Sequence, residues 1–526
     1  MTREAALDLV GDSSRPWDFL VVGGGASGLG TALEAASRGY RTLLVEKCDF
    51  GSGTSSRSSK LIHGGVRYLR QGRLHLVREA LRERWLLLRN APHLVQPLPF
   101  VLPLYRSAEI PWFFLGLRLY EGLSGPHRLG RVERLSGPET IERLPTLRTD
   151  RLRGGVLYWD AQFDDARLAI TLFRTLEDHG GVALNAAEIV GFSKPAGRIT
   201  GAVLLDRLSG REQPLSARIV VNAGGIFSDQ IRALDEPDAT PRLALSRGSH
   251  LVFPASLLPG KDAMLIPKAS DGRVIFVIPW LDRVLLGTTE VPVDKPEESP
   301  SISSSEAERL CSEVSPYLPS VSSAKAVASF SGLRPLLVQP GTHPREQLSR
   351  EHSICVSASG LITLAGGKWT TYRKMGEECI DFAERAHGFA HRPSQTAMLP
   401  LHGACEKGRS GHSSFSVYGS EGKEIEGLAA EETGAAEPIH PSLPYAVAQI
   451  LWGIRKERAL GLEDLLARRT RALFLDARAA LKAAPRLADL LARELGRPDS
   501  WREAELAAFE KAAQAYLPPE LPSTDR

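Results

Sequence analysis

Between Thr54 and Gly72 the chain reads TSSRSSKLIHGGVRYLRQG, a run of hydroxyls, glycines and cations without a carboxylate. The acid-free stretch extends from Phe50 to Arg78. Surface segments usually mix the signs of charge, so this one reads as a loop that receives an anion. Guanidinium groups suit such an anion, which they grip through paired charged hydrogen bonds. Upstream, Gly23-Gly24-Gly25-Ala26-Ser27-Gly28 satisfies GxGxxG, and Glu46 follows Gly28 by 18 residues. In that pattern Gly23 makes the tight turn, Gly25 lets the backbone approach a pyrophosphate, and Gly28 lets helix and strand pack closely. The helix N-terminus then aims its free N–H groups at the phosphates, and Glu46 accepts from a ribose hydroxyl.

The elements needed to hold such a turn are present. Phe19–Val22 is a short apolar run, 31–38 is Ala-rich and helical with Gly39 as its stop, and Thr42–Val45 is a second apolar run. This is a β-α-β unit. Two later strand–glycine turns, VVNAGG (220–225) and LAGGKWTTYR (364–373), face the same kind of task. Separated glycine turns converging on one long, extended ligand fit FAD better than NAD.

A helix is predicted near 73–90, with Leu74, Val77, Leu81, Trp85 and Leu88 on one face and arginines on the other. FDDARLAITLFRTLEDHGGVALN reads as helix, glycine stop and strand, and ITGAVLLDRLSGREQPLSARIVVNAGG as a hairpin and a buried strand. SHLVFPA, GRVIFVIPW and RVLLGTTE predict a mixed or antiparallel sheet. Residues 403–440 read as a linker, and 441–515 as a separate helical domain. The predicted fold class is α/β: a Rossmann-type FAD-binding domain (18–90, 151–240 and 331–395), an inserted mixed-sheet substrate or cap domain (91–150 and 241–330), and a linker plus C-terminal all-α domain (396–526).

Bulk properties exclude several alternatives. A net charge of +3 over 526 residues gives no support to a nucleic-acid partner. The cysteines Cys48, Cys311, Cys355, Cys379 and Cys405 are scattered without CxxC spacing, which argues against a bound metal and for a reducing compartment. The N-terminus shows no signal-peptide h-region, and no run of 18 apolar residues occurs. A cytoplasmic location is expected.

The blocks VVGGGASGLGTALEAASRG, TSSRSSKLIHGGVRYL and GGKWTTYRKM resemble the FAD-dependent glycerol-3-phosphate dehydrogenases. Shorter agreements follow in order: DDARL (164–168), GSHLVFP (248–254), IFVIPW (275–280), GTTE (287–290), SGLRPL (331–336) and DLLARRTR (464–471). The resemblance spans roughly 18–475 and is nearest the bacterial respiratory type. Glu34 stands where the family usually has Asp. Neither the long insertion of the glycerophosphate oxidases nor the calcium-binding loop of the mitochondrial enzymes is apparent, and 403–440 match poorly.

The resemblance implies oxidation of sn-glycerol 3-phosphate to dihydroxyacetone phosphate by hydride transfer from C2 to FAD, with electrons passed to a membrane quinone. It assigns cofactor contacts to Gly23, Gly25, Ala26, Ser27, Gly28 and Glu46, and to Thr54, Ser55, Ser56, Ser59, Lys60, Gly64 and Gly65. Ala223, Gly224, Gly366, Gly367 and Lys368 complete that set. Arg67, Tyr68 and Arg350 are candidates for the substrate phosphate; three charged hydrogen bonds at about 1.5–3 kcal/mol each separate glycerol phosphate from glycerol by about 5–9 kcal/mol if additive. His250, Arg334 and Lys368 are candidates around the reacting carbon. His250 is chemically the most ordinary base, Arg334 suits an electrostatic role, and the sequence leaves open which of the three takes the proton.

Attachment to the inner face of the cytoplasmic membrane would use PWFFLGL (111–117) and the arginines of 73–90, although Trp112, Phe113 and Phe114 equally suit a core. Dimer contact, packing and cap support stay open for the C-terminal helices. The competing functions are an O2-using glycerophosphate oxidase, an amine or amino-acid oxidase, and a non-catalytic flavin-binding protein.

Overall fold

The computed structural model describes residues 2–12, 14–65, 68–69, 72–338, 351–405 and 415–519. Trp17–Val22 is the centre of a parallel sheet, flanked by Thr42–Val45 on one edge and Arg211–Asn222 on the other. Val182–Leu184 extends it beyond Thr42–Val45, and Ile362–Gly366 beyond Arg211–Asn222. Phe19–Val22, Leu43–Val45 and Ile219–Val221 are apolar and buried because helices cover the sheet, as parallel sheets require. Ala26–Ser37, Asp165–Asp178 and Tyr372–His387 contribute Leu29, Leu33, Leu168, Leu172, Met375 and Ile380 to the core against Phe19 and Val21. Asp164 caps the second of these helices, accepting from Ala166 N and Arg167 N at 3.1 Å each. Glu34, the departure noted above, is fully buried and accepts from Arg38 Nε at 2.7 Å, while Arg38 reaches Glu384 on the Tyr372–His387 helix.

The second sheet is mixed and larger. Leu243–Pro254 pairs antiparallel with Ala328–Leu337 on one edge and with Arg283–Gly287 on the other. Ile275–Trp280, Ala263–Ile266, Val95–Leu104 and Gly154–Phe163 follow in order. The last of these corrects the predicted division, which gave 151–240 to the FAD-binding sheet. Gly154–Phe163 pairs with Val95–Leu104 along its whole length, so the chain returns to the parallel sheet only after Phe163. The short Leu61–Ile62 strand likewise joins this sheet.

Two further expectations change. Residues 416–431, read as linker, form a 3-10 turn and the Gly422–Glu431 helix. The C-terminal helices Val447–Glu457, Ala477–Glu494 and Asp499–Ala513 are present, but they are not separate. Leu451, Leu466, Phe474 and Leu487 share one core with Phe100, Ile278, Leu285 and Phe330 of the larger sheet.

The Leu74–Asn90 helix matches its predicted span, although Leu74 is exposed and Arg84 is not. Arg84 is buried and donates to Asp160 at 2.7 Å. PWFFLGL lies on the Glu109–Leu123 helix. Its Leu117 and Tyr120 point inward, Phe113 and Phe114 are half-buried, and Trp112 is 74% exposed. All five cysteines are free thiols.

Candidate active site

The turn after Trp17–Val22 explains its glycines sterically. Gly23 has φ +114°, a conformation that side chains rarely adopt, and a Cβ there would lie 2.5 Å from Ala223 O. A Cβ on Gly28 would stand 1.8 Å from Gly23 O, so the helix could not approach the strand. Gly25 is the N-cap of Ala26–Ser37 and faces Ser55, whose Oγ accepts from Ala26 N at 2.9 Å. Glu46 is fixed by two backbone donors, Gly24 N at 2.6 Å and Cys48 N at 2.9 Å. Burial pushes its carboxyl above the usual range despite those donors.

The hydroxyl-rich segment divides its work. Thr54 Oγ1 donates to Leu333 O at 2.5 Å, and Ser59 Oγ lies 2.9 Å from His250 Nε2. Lys60 does not reach the cavity. It is fully buried and donates to Asp165 at 2.7 Å and to Ser56 O at 2.8 Å. Burial pulls its ammonium down to about 7 against the opposing pull of Asp165. One cation of the acid-free loop therefore already has an anion, supplied by DDARL from 105 residues away. Arg57 donates to Glu298 O at 2.7 Å and to the Tyr516 hydroxyl at 3.1 Å. Arg67 and Arg350 lie outside the described residues.

His250 sits on Leu243–Pro254, opposite Gly287 on one neighbour and Phe330 on the other. Its ring stacks on Phe330 at 4.6 Å and 11°. Gly287 makes the room, for a Cβ there would stand 2.1 Å from His250 Cδ2. Burial, with Lys60 and Arg334 nearby, holds the imidazole well below its ordinary value of 6.5. Arg334 projects over Gly248, where a Cβ would meet Nη2 at 2.1 Å, and donates to Thr288 Oγ1 at 2.8 Å. Lys368 follows the 366–367 glycine pair and places Nζ 3.8 Å from the Tyr68 ring centroid.

These groups share one cavity of about 1010 Å3. Gly23, Gly25, Ala26, Ser27 and Glu46 line one part; Thr54, Ser55, Ser59 and Gly65 line another; Ala223, Gly224, Gly366 and Gly367 also face it. His250, Arg334, Lys368 and Tyr68 complete the wall. Gly28, Ser56, Lys60 and Gly64, expected at the cofactor, do not line it. Gly28 acts through packing. Gly64 is turned toward Tyr120, its N–H donating to that hydroxyl at 2.7 Å.

Sequence reasoning passed over Arg273, which lines the cavity and donates to Thr288 O at 2.8 Å. Its signal was the cation between a DG turn and the IFVIPW strand. It also passed over Arg468 and Asp464 of the C-terminal region, which face the same space.

The FAD dependent oxidoreductase model matches residues 18–373, and that of the C-terminal domain of alpha-glycerophosphate oxidase matches 364–505. The mitochondrial glycerol-3-phosphate dehydrogenases of Bos taurus and Homo sapiens are each 38% identical over 97% of this chain and 75% of theirs. The chain belongs to the FAD-dependent glycerol-3-phosphate dehydrogenase family. A solved glycerol-3-phosphate dehydrogenase from Bacillus halodurans, complexed with FAD, superposes with a TM-score of 0.81 at 29% identity, covering 99% of this chain and 98% of that one. A reduced L-alpha-glycerophosphate oxidase from Mycoplasma pneumoniae shares the fold at a TM-score of 0.56 and 18% identity. The site of this dehydrogenase-family member fits FAD on its own geometry. Gly23 and Gly28 bring strand and helix too close for any side chain, and Glu46 is braced at the end of its strand.

Proposed function

We propose that this chain oxidises sn-glycerol 3-phosphate to dihydroxyacetone phosphate and delivers the electrons to a quinone. The observation that supports this is the joining, in one cavity, of a dinucleotide cradle and a neutral imidazole flanked by fixed cations. FAD, when bound, supplies the acceptor for the hydride of C2. His250 takes the C2 hydroxyl proton, because burial keeps its imidazole uncharged and a lone pair available. Its stack on Phe330 and its contact with Ser59 fix the ring. Arg334, held by Thr288, stabilises the negative charge that develops on that oxygen. Lys368, whose Nζ lies over the Tyr68 ring, offers a second cation to the same cavity. Arg67, Tyr68 and Arg350 are assigned to the substrate phosphate on their motif positions, and Tyr68 lines the cavity.

The membrane reading draws on the Glu109–Leu123 helix. No helix among the described residues is long and apolar enough to cross a membrane. Trp112, Leu115 and Leu119 nevertheless form an exposed apolar stripe at i, i+3 and i+7. Phe113 and Leu117 of the same helix line the cavity beside Phe100, Leu102, Tyr158 and Phe276. One helix thus carries apolar surface on both sides, which suits attachment to a lipid surface and access for an apolar acceptor.

The test is anaerobic titration of the yellow protein. sn-Glycerol 3-phosphate is expected to bleach the flavin, and glycerol or amino acids are not. A flavin left oxidised by glycerol 3-phosphate rejects the reading. Faster reoxidation by a soluble quinone than by air separates the dehydrogenase from an oxidase.

A further inference from the structure

We infer that the C-terminal helical region is part of the cofactor site, with Arg468, Arg469 and Arg471 as positioning residues that hold both ends of the 49–56 wall. Asp49, Ser52, Gly53, Thr54 and Ser55 line the cavity in that wall, with Asp49 at one end of the segment and Ser56, which does not line it, at the other. Both ends are gripped from the C-terminal region. Arg468 Nε and both Arg469 Nη groups donate to the buried Asp49 carboxylate, with Arg469 Nη2 at 2.9 Å from Oδ1. Arg471 Nη2 donates to Ser56 O at 2.8 Å and to Asp165 Oδ1 at 3.2 Å. Asp165 in turn holds Ser58 and Lys60 through its other oxygen.

Several features separate this from ordinary domain packing. The C-terminal helices already have an extensive apolar interface with the larger sheet, so cohesion does not require charges. The three arginines are at most 2% exposed, and desolvating them costs several kcal/mol per ion in general. Removing water from a guanidinium is tolerated where the pair fixes a geometry, and the carboxylates and carbonyl gripped here belong to, or brace, the wall segment. Burial alone would raise the Asp49 carboxyl, yet Arg469 and Arg468 outweigh it and hold it below the usual range. The wall is tied at its inner side as well, since Gly51 N donates to Gly24 O at 2.9 Å within the glycine turn. A shift of Asp49 is thereby transmitted to the turn that faces the pyrophosphate. Arg468 and Asp464 themselves line the cavity, so the region also supplies part of the chamber.

Arg469 and Arg471 do not line the cavity, so their role is positional: they act on FAD through Asp49 and Ser56. Arg469→Gln and Arg471→Gln cut the ties at opposite ends of the wall. FAD affinity, read by flavin fluorescence on titrating apoprotein, is expected to fall at least tenfold in each. The denaturation midpoint of the apoprotein separates this from plain destabilisation. A lowered midpoint with wild-type FAD affinity overturns the inference, as does wild-type behaviour in both measurements. Should Arg469→Gln not fold, Arg471→Lys carries the test, since lysine keeps the charge but not the fork that spans Ser56 O and Asp165. Wild-type FAD affinity in that variant overturns the inference equally. FAD binding is read without substrate, so its outcome is independent of whether glycerol 3-phosphate is oxidised.

Discussion

Gly287→Ala tests the placement of His250 without touching its chemistry. The added Cβ would stand 2.1 Å from His250 Cδ2, whereas ordinary contact begins at 3.4 Å, so the ring must retreat by about 1.3 Å. It cannot do so freely. Phe330 lies flat against one face at 4.6 Å, and the 2.9 Å contact with Ser59 fixes the Nε2 edge. A displacement of this size at a proton acceptor costs about 100-fold in rate. Stopped-flow reduction of the flavin by sn-glycerol 3-phosphate is the assay, with FAD content measured on the same sample. The expected result is a full complement of FAD and a reduction rate about 100-fold lower, because Gly287 itself does not line the cavity and belongs to none of its glycine turns. Wild-type reduction with alanine at 287 would refute both the steric argument and the role given to His250.

The pH dependence of kcat/KM should show no loss on descending through pH 6.5, because the His250 pKa is depressed and the base stays neutral there. An acidic limb centred at or above 6.5 would count against His250. The same depression makes the unfolded chain bind more protons than the folded one below 6.5, so this group lowers stability as the pH falls, a trend measurable by denaturation at graded pH. Lys60→Met should cost about 3–5 kcal/mol of stability by leaving a buried carboxylate short of a partner, while KM for glycerol 3-phosphate stays within twofold or so; a large KM effect with unchanged stability would restore Lys60 to the cavity. Trp112→Glu should abolish co-sedimentation with anionic liposomes while leaving reduction by substrate intact, and retained co-sedimentation would reject the Glu109–Leu123 helix as the membrane contact. Arg67→Ala should raise KM far more than it lowers kcat, and an unchanged KM would remove it from the phosphate clamp.

What the sequence made legible depended on how far each residue lies from its partner. Gly23, Gly25, Gly28 and Glu46 operate within one β-α-β unit, so their spacing alone reveals their use. His250 and Arg334 are carried by strand motifs and reach the cavity, but the glycines that admit them, Gly287 and Gly248, sit on neighbouring strands and gave no local signal. Lys60 was misplaced for the same reason. Its anion comes from the first turn of a helix 105 residues on, and an unpaired cation in a loop looks like a ligand for phosphate until that pairing is seen. The C-terminal arginines showed no chemistry in sequence because their partners lie about 300 to 420 residues earlier. Helical periodicity in 447–513 revealed the elements but not the core they share with the sheet. The Glu109–Leu123 helix was ambiguous because its apolar residues point both ways: Ile110, Phe113, Phe114, Leu117, Tyr120 and Leu123 are buried or half-buried, while Trp112, Leu115 and Leu119 face outward.

The shared core also sets an order of events during synthesis. The strands from Val95 to Leu337 leave the ribosome well before the helices of 447–513 that cover one face of their sheet. Through that interval the nascent chain carries the uncovered apolar face of a nearly complete sheet, the kind of species that aggregates or engages chaperones. Asp49 waits still longer, for Arg469 is made 420 residues after it. On the inferred role of the Asp49–Arg469 tie, full flavin affinity is expected only once residue 469 has been made, so chains truncated before it should bind FAD more weakly than the full chain.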